Sequence, residues 1–181
     1  MTKALIIIDV QKGMFANPDM QPHDGEGTVA RLADVLGRAR GAGVPVFFVQ
    51  HNGGANSPLA KDSPGFPFHE ALTPQPGEDV TVKNHCSAFQ DTDFHEKLIA
   101  TNPENGAIDH IIVGGMQSEF CVDTAVRGLF ERGLKVTLVA DGHTTFGNAV
   151  LSAEQTIAHH NELLGGGGFA ELKDAAAITF G

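Results

Sequence analysis

Strand-length runs rich in β-branched residues alternate with helical stripes along this chain, and that alternation constrains the fold more than any other feature. Ala4-Leu-Ile-Ile-Ile8 is apolar throughout and ends at Asp9. Val44 to His51 follows, then the shorter Asp79 to Lys83, Ile108 to Val113, Val136 to Asp141 and Ala176 to Phe180. Strands apolar on both faces belong inside a parallel sheet covered by helices. Between them, Val29, Leu32, Ala33, Leu36 and Ala39 share one helical face, with Gly41 and Gly43 as stops. Thr92 to Ala100, the Val122–Phe130 stripe closed by Gly133, and Leu151 to Leu164 complete the predicted helices. The pattern predicts an α/β chain: one doubly wound sheet of about six mostly parallel strands, helices on both faces.

The 181 residues suit a single domain, residues 1–181, able to bury its core without a disulfide or metal staple. A net charge of −10 repels phosphate backbones and anionic lipid, so neither nucleic acid nor membrane is an expected partner. The only N-terminal apolar run is too short for a secretory or spanning segment. Two cysteines are too few for a disulfide framework, which predicts reduced thiols and a cytoplasmic location. The stretch from Asn52 to Gly77 holds five prolines and predicts a long loop of the kind that lines binding sites.

In such sheets ligands bind beyond the carboxyl ends of the strands. The residues expected there are Asp9, Gln50 and His51, Lys83, the turn Gly114 to Cys121, and Asp141 with His143. Asp9 could simply cap a turn, Lys83 could be a solvated strand end, and Cys121 could be a small buried hydrophobe. The setting of Cys121 speaks for chemistry. Ser118 as N-cap would put the thiol near the third helical position, where free N–H groups favour a thiolate and can hold an oxyanion. Cys86 lacks such a setting and reads as structural or incidental.

Three segments in order, Leu5-Ile-Ile-Ile-Asp9-Val-Gln11, Lys83-Asn-His-Cys-Ser-Ala-Phe89 and Gly114-Gly-Met-Gln-Ser-Glu-Phe-Cys121-Val-Asp-Thr-Ala125, resemble the isochorismatase-like cysteine hydrolases. The resemblance spans nearly the whole chain. It implies a catalytic Asp–Lys–Cys triad at Asp9, Lys83 and Cys121, a cis peptide at Met116–Gln117, an oxyanion hole from the Gln117 and Cys121 N–H groups, and a homo-oligomer. The implied reaction cleaves an amide-like C–N bond of a small molecule through a thioester on Cys121, with Asp9 as base and then acid and Lys83 as electrostatic support.

One departure bears on cofactors. Nicotinamidases of this family carry an Asp-x-His metal motif after strand two, whereas this chain reads Gln50-His51-Asn52. His69 and His85 could join His51, but a neutral trio is a poor ligand set, so no metal and no cofactor are expected. Phe15, His51, Phe89 and Glu119 are the expected substrate contacts. The rival readings are vinyl ether hydrolysis of the isochorismatase type, which does not use the thiol, and a non-catalytic oligomeric binding protein. A phosphatase of the haloacid-dehalogenase kind would need a second Asp where Gln11 stands, and a Rossmann module would need glycines where Val10-Gln-Lys12 stands.

Overall fold

The computed structural model describes residues 2–100 and 107–181. Six parallel strands form one sheet in the order β3-β2-β1-β4-β5-β6: β1 Thr2–Ile8, β2 Val46–His51, β3 Asp79–Lys83, β4 Ile108–Met116, β5 Lys135–Thr144 and β6 Glu171–Lys173. Four helices cover it: α1 Gly25–Gly41, α2 Phe94–Ala100, α3 Asp123–Glu131 and α4 Ala153–Gly166.

The central strand β1 explains the layering. Its side chains alternate between two faces. Ala4, Ile6 and Ile8 pack with α2, α3 and α4 through Phe94, Leu98, Val126, Leu129 and Leu164. Leu5 and Ile7 pack with Val29, Leu32, Val35 and Leu36 of α1. All these residues are buried, and each one larger than Ala4 contributes roughly 1.5–3 kcal/mol of hydrophobic stabilisation.

Most helix ends follow the sequence signals. Ser152 and Gln155 form a reciprocal capping box at the start of α4. Gly43 and Gly133 take positive φ after α1 and α3. The last strand departs from expectation. Ala176–Phe180 is not a strand; Ala175–Ala177 make a 3₁₀ turn, and the paired edge strand is the more polar Glu171–Lys173. An apolar run signals burial, and Ile178 is indeed buried, but the backbone found another partner: the carbonyls of Ala175 and Ile178 accept from the Arg38 guanidinium of α1, each at 2.6 Å.

Two glycines let β4 approach its neighbours. Gly115 stands opposite Ile8 and has φ 137°, and a Cβ there would lie 2.1 Å from the Ile8 carbonyl oxygen. A Cβ on Gly114 would lie 2.7 Å from the Gly142 carbonyl oxygen. Gly115→Ala should therefore cost more than about 3 kcal/mol of stability, since rigid backbone must move. Gly37→Ala, on an exposed helical site with open space around it, should instead stabilise by about 0.5–1 kcal/mol. Urea denaturation of the two variants checks both signs.

Candidate active site

The chain builds β2 and β3 on one side of β1 and then crosses to place β4 on the other. This order opens a crevice at the carboxyl ends of β1 and β4. Asp9 follows β1 with φ 52°, a left-handed conformation that Asp tolerates, and its N–H donates to the Val49 carbonyl. Lys83 ends β3, paired in register with His51 at the end of β2. Cys121 lies in the turn after β4.

Lys83 starts two strand spacings from β1, about 9–10 Å away, and its side chain and that of Asp9 together close the gap. Its Nζ sits 2.7 Å from Asp9 Oδ2 and donates to Cys121 Sγ at 3.0 Å. It also donates to the His85 carbonyl at 3.2 Å and lies 3.4 Å from His51 Nδ1. Asp9 and Lys83 are both fully buried. The ion pair is close but askew: neither Asp9 oxygen receives a well-aligned hydrogen bond.

Burial and imperfect solvation set the protonation states. Desolvation raises the Asp9 carboxyl, against the opposing pull of Lys83. Burial, and then the Asp9 carboxylate, push the Cys121 thiol well up, against Lys83. Burial alone would lower Lys83, but Asp9 and Cys121 together outweigh it and hold the ammonium charged. A helix start favours the thiolate, but burial with a carboxylate alongside opposes it, so the Cys121 thiol is pushed up rather than down. Burial, followed by the Lys83 charge, lowers His51, which stays neutral. Its Nδ1 faces the ammonium, so the ring proton sits on Nε2.

The turn that carries Cys121 also differs from expectation. Ser118–Val122 is a π turn leading into α3, and Ser118 does not cap it. The Ser118 hydroxyl instead donates to His143 Nδ1 at 2.7 Å, and His143 Nε2–H donates to Asn161 Oδ1 at 3.0 Å. Asn161 Nδ2 donates to the Ala140 carbonyl, which fixes the amide orientation and hence the imidazole tautomer. Asp141 serves the scaffold, accepting from the Ala175 N–H at 2.7 Å and lying 3.6 Å from Arg31. The Met116–Gln117 peptide is cis.

A cavity of about 400 Å³ opens onto the cluster, lined by Asp9, His51, Gln117 and Cys121 and walled by Met14, Pro58, Leu59 and Phe120. His51 thus stands at the site, and the long loop supplies a wall. Phe15, Phe89 and Glu119 lie elsewhere. Phe15 packs edge-on to His69, and Phe89 lies under the Arg132 guanidinium and against Phe94. Glu119 keeps one carboxylate oxygen buried and unpartnered. Phe120, the exposed neighbour, takes the place expected of Glu119. Gln11, which no local signal marks as a site residue, is fully buried and pins the loop: its Nε2 donates to the carbonyls of His51 and Phe66, and its Oε1 accepts from the His51 N–H. Cys86 is also no bystander, since it lines the same cavity.

His69 and His85 do not join His51 as a ligand set. His69 caps the Ala71 N–H, and His85 lies 3.1 Å from Asp91. Among the described residues no three His, Cys, Asp or Glu side chains converge as a metal site, and no helix is long and apolar enough to cross a membrane.

Residues 3–160 match the Isochorismatase domain. The isochorismatase family protein YddQ of Bacillus subtilis is 33% identical over 147 residues, covering 80% of this chain and 79% of that one. A streptothricin hydrolase of Streptomyces noursei is 31% identical over 144 residues, 80% of this chain, but this chain spans only 55% of that relative's length. The crystal structure of an isochorismatase from Pseudomonas putida superposes with a TM-score of 0.90 at 29% identity, over 98% of this chain and 90% of that one. A domain match of that extent on this fold is decisive: the chain belongs to the isochorismatase family, a family of hydrolases that includes amidohydrolases.

Proposed function

We propose that this chain hydrolyses an amide-like C–N bond of a small molecule through a thioester on Cys121. The observation that carries the reading is the placement of one buried ammonium 2.7 Å from a carboxylate and 3.0 Å from a thiol at the floor of an accessible cavity. A carboxyl group raised above its ordinary value is a stronger base than a solvated aspartate. Asp9 takes the thiol proton as the sulfur attacks the carbonyl carbon. The anion then moves from the carboxylate to the developing oxyanion, while Lys83 keeps its charge throughout. Backbone N–H groups of Gln117 and Cys121 receive that oxyanion. Protonated Asp9 gives its proton to the leaving amine, and a water, deprotonated by Asp9, then opens the thioester.

The cavity walls suggest the shape of the substrate. Apolar side chains from Met14, Pro58, Leu59 and Phe120 suit a compact apolar acyl group, and the neutral His51 offers one Nε2–H donor to a substrate oxygen.

Cys121→Ser should lower turnover by about three orders of magnitude or more on an amide or ureide found active by ammonia release. Acid-quenched wild-type enzyme should carry the acyl group on Cys121 by intact mass. Undiminished turnover in the variant would eliminate the thioester route and favour hydrolysis without the thiol.

The pH profile offers a separate check. Asp9 must be ionised to accept a proton, so kcat/KM should fall with decreasing pH through the Asp9 value. That acid limb should lie above the ordinary aspartate value of about 3.9, because burial raises the group. Asp9→Asn should lose about 10²–10⁴ in rate and show no such limb. A limb at or below the ordinary value, or one that persists in the variant, would remove Asp9 from the role of base.

A further inference from the structure

The catalytic cavity holds two thiols, and the mechanism uses only one of them. Cys86 Sγ lies 3.9 Å from Cys121 Sγ, and both line the same cavity. Cys86 sits in the bend after β3, where no helix or strand fixes it, and is exposed, whereas Cys121 is largely enclosed. A 3.2 Å contact with the Thr124 hydroxyl, in the first turn of α3, holds the Cys86 sulfur over the nucleophile turn. A disulfide has an S–S distance of about 2.0 Å, so a rotation of the exposed Cys86 side chain and a small shift of its bend would have to close roughly 2 Å.

We propose that Cys86 and Cys121 form a redox dithiol, which a hydroperoxide closes into an intrachain disulfide that blocks the hydrolase. The exposed Cys86 sulfur, having released its proton to solvent, attacks the peroxide. An S–O bond forms, the O–O bond breaks and, for hydrogen peroxide, water leaves, giving Cys86 sulfenic acid. Asp9 then takes the Cys121 proton, as it does in the hydrolytic reaction, and the Cys121 sulfur attacks the Cys86 sulfur. The S–S bond forms, the S–O bond breaks, and hydroxide leaves as water with that proton. Two thiols lose two electrons and two protons, and one peroxide becomes two waters. Because the nucleophile is then tied in a bond reducible by thiols, it is shielded from the irreversible sulfinic and sulfonic steps.

The disulfide depends only on the two sulfurs; the loss of activity rests also on the thioester reading above. The test treats the full-length protein with hydrogen peroxide and reads unreduced mass first. The protein should become about 2 Da lighter, and tryptic peptides 84–97 and 98–127 should be joined until dithiothreitol separates them. Hydrolysis of an active amide should fall at least about tenfold and return on reduction. In Cys86→Ser, assayed against its own untreated sample, peroxide should add about 16 or 32 Da at Cys121, and dithiothreitol should not restore the activity once the sulfinic form dominates. Unlinked peptides with added oxygen on either cysteine in the wild type, or cross-linked dimers through Cys86, would overturn the proposal. Linked peptides in a protein that turns over no amide would uphold the dithiol and count against the thioester reading alone.

Discussion

A single ammonium, Lys83 Nζ, lies within 3.4 Å of a carboxylate, a thiol, a carbonyl and an imidazole, and the chemistry of the site is organised around it. Removing a Lys–Asp pair from water costs several kcal/mol per ion, and the pair is tolerable only while each charge has the other. The cation can neutralise one anion. A second beside it, in a dry pocket, is disfavoured, which is why the carboxyl and the thiol are both raised and in effect compete for one proton. On the proposed mechanism an amide carbonyl arriving at the sulfur gives the negative charge a third place to reside, and proton transfer to Asp9 accompanies the attack.

The rest of the fold holds that arrangement in place. Strand order puts β1 and β4 side by side, and Gly115 removes the Cβ that would hold them apart, while Gly114 does the same between β4 and β5. The chain of Ser118, His143 and Asn161 anchors the Cys121 turn to β5 and α4, with every polar atom in it paired. Gln11 bonds both the end of β2 and the proline-rich loop, so the loop that carries Pro58 and Leu59 is tied to the strand carrying Asp9. Scaffold and site are thus joined by a few buried polar contacts rather than by the apolar core alone.

Much of this was legible in the residues. The first five strands and the helix stops follow from periodicity and turn chemistry, because those signals are local, and the family resemblance pointed to Asp9, Lys83 and Cys121, which the fold brings together. The errors share one physical origin. Ala176–Phe180 is apolar enough for a strand, yet its carbonyls are satisfied by Arg38 from another element. Ser118 has the side chain of a helix cap, yet a buried imidazole from β5 offers a better partner. Phe15 and Phe89, expected at the substrate, pack on His69 and Phe94 and do not line the cavity, since nothing local distinguishes an aromatic that faces a cavity from one that faces a helix.

The sequence by itself determined the architecture and named the sulfur, the carboxyl and the amine, because alternating apolar periods and spaced motifs are properties of the chain in one dimension. Tertiary structure alone decided that burial and Asp9 push the Cys121 thiol up, that Cys86 stands 3.9 Å from its sulfur, and that Phe120 rather than Glu119 meets the cavity. Those outcomes depend on desolvation and on distances across strand ends. Both arise only when segments far apart in the chain are packed against one another.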